Sequence, residues 1–238
     1  MYLENVVMDA ADPQRLGRFW EAALGGERLT DEPAGFETRI AVAGGPVLDL
    51  CLQRVPEPAT APPRLHLDLA GGAQQAEVVE RLLDLGAQHL DIGQGDVPWV
   101  VLADLEGNAF CVMEERPSYT GTGPIAALPL DSADPDRDAR FWSWLTGWTA
   151  TGGAPHELRH PSRLGPVLEL CPEPAPKGGA KNRLHLDVRL EAGEDADDVA
   201  AAVAERGCRE VTAADSQLPW RTYQDPSGNE FCVLPARG

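Results

Sequence analysis

The five residues Arg64-Leu65-His66-Leu67-Asp68 return as Arg183-Leu184-His185-Leu186-Asp187, 119 positions later, and this duplication constrains the chain more than any other feature. Asp12-Pro13 ahead of Phe19-Trp20 returns as Asp134-Pro135 ahead of Phe141-Trp142, residues 46–51 return as 166–171, and Trp99 returns as Trp220. Gly107-Asn108-Ala109-Phe110-Cys111-Val112 returns as Gly228-Asn229-Glu230-Phe231-Cys232-Val233. The offsets drift only between 119 and 122, so one fold occurs twice with small loop differences. Each half of the 238 residues is long enough for its own core. The expected division is a first domain over 1–117, a linker over 118–124 marked by Gly121-Thr122-Gly123-Pro124, and a second domain over 125–238.

Side chains alternate faces along a strand, so Arg64, His66 and Asp68 share one face while Leu65 and Leu67 take the other. That pattern predicts a polar cavity over a sheet whose far side is buried. Around it each copy reads alike. A first strand (5–9; 126–130) runs to an Asp that caps a helix with Pro at its first position. Leu16, Phe19, Trp20, Ala23 and Leu24 fall at helical spacing, and Gly25-Gly26 ends that helix. Strands over 37–42 and 47–53 follow, then a Pro-rich connection into the His-containing strand. A second helix over 75–85 stops at Gly86, and two last strands surround a Gly-Asn turn. The order is βαβββ twice in each copy.

The chain carries 38 acidic residues against 20 basic ones. Neither copy offers the Lys/Arg clusters that nucleic acid or an anionic membrane surface requires. No apolar run approaches the roughly 18 residues of a membrane span, and Met1-Tyr2-Leu3-Glu4-Asn5 lacks the basic and apolar regions of a signal peptide. Five cysteines, an odd number without CxxC spacing, read as reduced thiols of a cytoplasmic protein. No nucleotide-binding glycine loop or nucleophile elbow occurs. The expected partner is therefore a small molecule.

The Asp-Pro helix starts, the duplicated Arg-Leu-His-Leu-Asp strand, Leu85-Gly86-Ala87 after the second helix, and the endings Trp99…Asp104-Leu105-Glu106-Gly107-Asn108 and Trp220…Asp225-Pro226-Ser227-Gly228-Asn229 resemble one family. It is the vicinal oxygen chelate superfamily, the glyoxalase, bleomycin-resistance and dioxygenase group. The resemblance covers nearly the whole chain, twice. It implies an α+β fold: a tandem repeat of two glyoxalase-like domains, each a pair of βαβββ modules forming curved mixed sheets. It leaves the activity open, because the group includes lyases, isomerases, dioxygenases and drug-sequestering proteins.

Metal-dependent members of that family take ligands from the first, fourth, fifth and eighth strands of a domain. By motif, the first-strand histidine is replaced here by Asn5 or Ala127, and the eighth-strand glutamate by Cys111 or Cys232. What survives is His66 with Asp49 in one copy and His185 with Glu169 in the other, with Asp9 or Asp131 as a substitute from the first strand. The cofactor expectation is accordingly either none or a divalent zinc, nickel, manganese or iron ion held by Asp49, His66, Glu169 and His185.

His66-Asp68 and His185-Asp187 also read as catalytic pairs in which the carboxylate fixes the tautomer of a general base. A purely structural, hydrogen-bonded role remains beside that reading. Arg64, Gln53, Arg183 and Trp144 are the expected ligand-binding residues, Trp144 and Trp148 being specific to the second copy. Cys111 and Cys232, flanked by Phe and Val, read as inert buried thiols. His156 and His160, in a Pro-flanked segment, read as loop or strand residues rather than a helical metal pair. Two functions stand side by side: a small-molecule-binding protein that sequesters or handles a small organic metabolite or natural product, and a metal-dependent lyase or isomerase. Either suits a monomer or a homodimer.

Overall fold

The computed structural model describes residues 1–58, 61–153, 156–212 and 217–237. Four modules follow one another. The first is β1 (Tyr2–Ala10), α1 (Pro13–Leu24), β2 (Glu27–Glu32), β3 (Gly35–Ala41) and β4 (Val47–Arg54). The second is β5 (Asp68–Gly72), α2 (Gln75–Asp84), β6 (Gln88–His89), β7 (Val100–Ala103) and β8 (Ala109–Glu114). A 3-10 turn at Pro117–Tyr119 leads to the third, β9 (Ile125–Ser132), α3 (Pro135–Thr146), β10 (Thr149–Ala150), β11 (Glu157–Arg159) and β12 (Val167–Pro172). The fourth is β13 (Leu184–Arg189), α4 (Ala196–Glu205), β14 (Arg209–Glu210), β15 (Arg221–Gln224) and β16 (Glu230–Leu234).

These strands form two mixed sheets of eight, and neither sheet belongs to one copy. The first sheet runs β14-β15-β16-β13-β1-β4-β3-β2, joining module one to module four. The second runs β10-β11-β12-β9-β5-β8-β7-β6, joining modules three and two. The seams are β1 against β13 and β5 against β9, both antiparallel. Modules two and three are neighbours in sequence and pair across the linker; the outermost modules pair across everything between them. The tandem repeat and the curved mixed sheets match the expectation from sequence, and the exchange of modules between copies is new.

Local chemistry accounts for the helices. The Asp12 carboxylate accepts from Arg15 N at 3.1 Å and the Asp134 carboxylate from Arg137 N at 3.0 Å, each ahead of a first-turn proline. Gly25 and Gly147 close α1 and α3 in the left-handed region, with φ of 65° and 71°. Trp20 Nε1 donates to Asp104 at 3.1 Å and Trp142 Nε1 to Asp225 at 3.2 Å. Each of those aspartates also accepts from the backbone of its turn and from Asn108 or Asn229. The duplicated Asp…Gly-Asn ending is thus a structural knot tying a helix to the β7-β8 or β15-β16 hairpin.

Leu65, Leu67, Leu184 and Leu186 are all buried and join one continuous core with Phe19, Trp20, Phe141 and Trp142. The alternation read from Arg-Leu-His-Leu-Asp holds on both sheets. In copy one, however, regular pairing starts only at Asp68, and Leu65 makes a single bridge to Leu130. The edge strand β2 lacks apolar alternation, being exposed and charged, so its sequence carries no strand signal. No helix among the described residues is long and apolar enough to cross a membrane.

The arginine of each repeated pentapeptide crosses to the other copy. Arg64 donates to Asn229 Oδ1 at 2.7 Å and to the Asp131 carbonyl at 3.2 Å, and it meets the Glu173 carboxylate at 2.7 Å. Arg183 reciprocates on copy one: it donates to Glu106 Oε2 at 2.7 Å and to the Asp9 carbonyl at 3.3 Å. Glu106 in turn accepts from the backbone N–H groups of Ala11 and Asp12, ahead of α1. These guanidiniums act as clamps between the copies, and both also line a cavity of about 210 Å³. Arg64→Ala strands Glu173 and several carbonyls in a buried site, and is expected to cost about 3–5 kcal/mol of unfolding free energy in urea denaturation. A loss below about 1 kcal/mol would reject the clamp.

Candidate functional site

Cavity-facing side chains line up in rows across each sheet. In the first, Thr222, Cys232, Asp187, Asn5, Asp49 and Arg39 stand opposite one another on successive strands. The neighbouring row holds His185, Val7, Cys51 and Glu37. A cavity of about 450 Å³ opens over this face, with His185, Asp187 and Cys232 in its lining and Trp220, Pro219 and Lys181 among its walls.

The polar groups of this first cup are mostly engaged with each other. Arg39 grips both Asp49 oxygens, at 2.8 and 2.7 Å. Gln53 donates to Asp9 at 2.8 Å and Lys181 to the same oxygen at 2.7 Å. Cys51 donates to Glu37 at 3.4 Å, and burial pushes its thiol pKa strongly up. One group is half satisfied: Asp187 Oδ2 accepts from Asn5 at 3.2 Å, whereas Oδ1 is buried without a hydrogen bond.

The second cup repeats the floor with His66, Asp68 and Cys111, and Tyr119 packs beside it, while the His66 side chain stays 31% exposed against 6% for His185. The Tyr119 ring packs against Cys111, Val101, Met113 and Ala126. Its hydroxyl donates to Glu169 at 3.0 Å. Arg116 stands 5.5 Å from the Tyr119 ring and 5.6 Å from that of Trp99. The nearby depression of about 610 Å³ is walled by Tyr119, Arg116 and Glu114 and contains none of the three floor residues. Register differs as well. Val7 pairs with Cys51 in the first sheet, whereas its counterpart Pro129, whose carbonyl accepts from His66 N, pairs with Glu169 in the second. An even slip keeps every side chain on its face but moves Glu169 one row along, to the level of His66.

Several sequence expectations are corrected here. His66 and Asp49 lie on different sheets, as do His185 and Glu169, because modules are exchanged between the copies. Those four residues do not form the expected pairs. Asp49 is committed to Arg39 and Asp9 to Lys181. Trp144 lies on α3, its ring 3.8 Å beneath the Arg206 guanidinium, and lines neither cup; Trp148 is buried in the core. Of the expected ligand contacts, Gln53 alone lines the first cavity. His156 and His160 flank strand β11, while Ala154 and Pro155 of that segment lie outside the described residues.

Cys111 and Cys232, read from sequence as bystanders, stand on the cup floors. Ligand atoms of His185, Asp187 and Cys232 all lie within 4.8 Å of one another, and those of His66, Asp68 and Cys111 do the same. The arrangement does not form a nucleophilic triad. Asp187 Oδ1 and Cys232 Sγ approach the same ring nitrogen, His185 Nε2, at 3.4 and 3.7 Å, whereas a base relay needs its carboxylate and nucleophile on opposite nitrogens. Burial and the neighbouring Asp187 also push the Cys232 thiol pKa up. In number and kind these N, O and S donors fit a divalent cation of the sort the fold family implies. The signal that could have revealed the cluster is register: Cys232 pairs directly with Asp187, and Cys111 with Asp68.

Burial also holds the Glu169 carboxyl up, at about 7, against the lowering effect of the Tyr119 hydrogen bond; Asp68 and Glu157 add to the rise. The folded chain therefore keeps a proton where the unfolded chain, near 4.5, has released it. That contribution to stability is complete below the unfolded value and is lost as pH rises through about 7. Glu169→Gln removes the dependence. Its unfolding free energy relative to wild type should grow by about 2–3 kcal/mol between about pH 5 and about pH 8, measured in urea; parallel stability curves would overturn this.

Comparison with known proteins agrees with this architecture. No curated protein sequence matches the chain. Glyoxalase I from Zea mays superposes with a TM-score of 0.66 at 15% identity, over 98% of this chain and 92% of that one. A candidate dioxygenase from Bacillus subtilis subsp. subtilis str. 168 superposes with a TM-score of 0.60 at 16% identity, over 100% of this chain and 86% of that one. At such identities the likeness is one of fold. The profile of the Glyoxalase-like domain matches twice, over residues 5–113 and 127–234, and the chain is therefore a member of the glyoxalase-like domain family.

Proposed function

We propose that the first cup binds a small organic molecule. The asymmetry between the cups carries this reading. A cavity of about 450 Å³ reaches His185, Asp187 and Cys232, whereas the depression at Tyr119 in the second cup is lined by none of the equivalent three residues. That volume falls within the range of small-ligand sites. Val7, Leu234 and the Trp220 ring supply apolar wall, and Asn5, Thr222 and Gln53 supply directional hydrogen bonding. Lys181 and Arg189 at the cavity are paired with Asp9 and Glu4, so an occupant meets neutralised groups rather than a bare charge. These features suit sequestration or handling of a compact, largely apolar metabolite or natural product.

The tandem modules close both sheets within one chain, which supports a monomer; the division at 118–124 then marks the sequence repeat rather than a boundary between sheets. Five free cysteines support a cytoplasmic setting. One observation favours the second reading, a metal-dependent lyase or isomerase. It is the His-Asp-Cys cluster, and that reading requires the cluster to take up a cation.

Titrating a broad panel of small organic compounds tests the binding reading. A ligand of the first cup should quench tryptophan fluorescence in wild type and far less in Trp220→Phe. It should raise the melting temperature by about 5–10 °C when present at roughly a hundredfold over Kd. A panel that moves neither signal would sink the proposal.

A further inference from the structure

The distances on the first floor carry information that organic-ligand binding does not use. His185 Nε2 stands 3.4 Å from Asp187 Oδ1 and 3.7 Å from Cys232 Sγ. Zinc bonds of about 2.0–2.1 Å to nitrogen, about 2.1 Å to oxygen and about 2.3 Å to sulfur, set at the tetrahedral angle, require an N···O edge of about 3.4 Å and an N···S edge of about 3.6 Å. Both observed edges agree. The His185 and Asp187 side chains are 6% and 8% exposed, and Asp187 Oδ1 is left without a hydrogen bond while Asn5 holds Oδ2. Apart from His185 Nε2 and the Cys232 thiol, the buried Oδ1 of Asp187 has no polar partner, an arrangement that is costly unless something else occupies the space between the three.

We propose that His185, Asp187 and Cys232 form a three-ligand site for a thiophilic divalent cation, zinc or a close stand-in such as cobalt or cadmium. On binding, the Cys232 thiol proton leaves to solvent and the sulfur lone pair bonds the cation; no electrons change hands. A carboxylate and a thiolate then cancel the two positive charges, and the neutral imidazole completes the set, which suits a site so little exposed to water. His185 Nδ1 has no hydrogen-bond partner, so the cation alone sets the tautomer that leaves the Nε2 lone pair free. Sulfur selects against magnesium, calcium and manganese, which favour oxygen ligands. Three protein ligands beside a cavity leave the fourth position to water or to an occupant of the cup. In the second cup His66 Nε2 and Asp68 Oδ1 are 3.3 Å apart and Cys111 lies within the same cluster, so the set recurs there. The site stands whether or not the cup also holds an organic molecule.

Cobalt(II) titration of untagged, chelator-treated full-length protein tests this with a spectroscopic readout. The expected result is a sulfur-to-cobalt charge-transfer band in the near ultraviolet with tetrahedral ligand-field absorption in the visible. Zinc should bleach both, and a large excess of magnesium should leave them intact. Cys232→Ser should lose the contribution of the first cup, and Cys111→Ser/Cys232→Ser should lose the band entirely while keeping the wild-type circular dichroism. His185→Gln, which leaves both thiols in place, should weaken cobalt binding at least tenfold. Absence of the band in wild type, its survival in the double cysteine variant, or its displacement by magnesium would each overturn the site.

Discussion

Each sheet is joined by a strand pair with one strand from each copy, and everything else in the molecule depends on that crossing. β1 lies against β13 over Tyr2 to Met8, about three quarters of the chain away in sequence. Both floor clusters sit beside such a seam: Asp187 faces Asn5 across one, and Asp68 faces Ala127 across the other. Neither cup can exist in an isolated copy folded on its own strands. Long-range antiparallel pairing of this kind is entropically expensive to initiate. The two arginine clamps answer that cost where it arises, because the acceptors of Arg64 lie in copy two and those of Arg183 in copy one.

The repeated pentapeptide therefore divides its labour by position. Its leucines join the common core, its arginine joins the copies, and its histidine and aspartate face a cup. Period-two alternation separates the first set from the last two, which is why that split was legible from sequence. The role of the arginine was not. A guanidinium on a polar strand face can serve a ligand or a neighbouring chain segment equally well, and only the topology decides. The same holds for Asp49, whose strand and face are plain from alternation, but whose capture by Arg39 depends on the β3-β4 register.

Fold was legible because duplication, helix caps and alternation all act over short range and agree with one another. The site was legible only in part, because sites depend on which strand lies beside which. Ligand pairs assigned within a copy failed at the one step the sequence does not encode locally, the exchange of modules. Cys111 and Cys232 were undervalued for a related reason: apolar flanking residues signal burial, and burial on the cup floor looks the same in sequence as burial in the core. Trp144 shows the converse, an aromatic residue unmatched in the other copy whose environment proved to be the flat face of Arg206 on a helix surface.

The two cups show how a duplicated site can diverge without losing its floor. His, Asp and Cys persist in both, at nearly the same His-to-Asp separation, 3.3 and 3.4 Å. Around them the differences are concerted. Where the first cup has Asn5 to hold one oxygen of Asp187, the second has Ala127 beside Asp68, and no side chain can do the same there. Where the first sheet places Cys51 level with the histidine, the two-residue slip brings Glu169 to that level, and this buried acid is the group Tyr119 reaches down to meet. The phenol's hydrogen bond favours the ionised form of Glu169, and burial outweighs it, so the raised carboxyl belongs to the packing around it rather than to Tyr119. The slip, the missing amide and the inserted ring together set the second cup apart from the first, over which the cavity of about 450 Å³ opens.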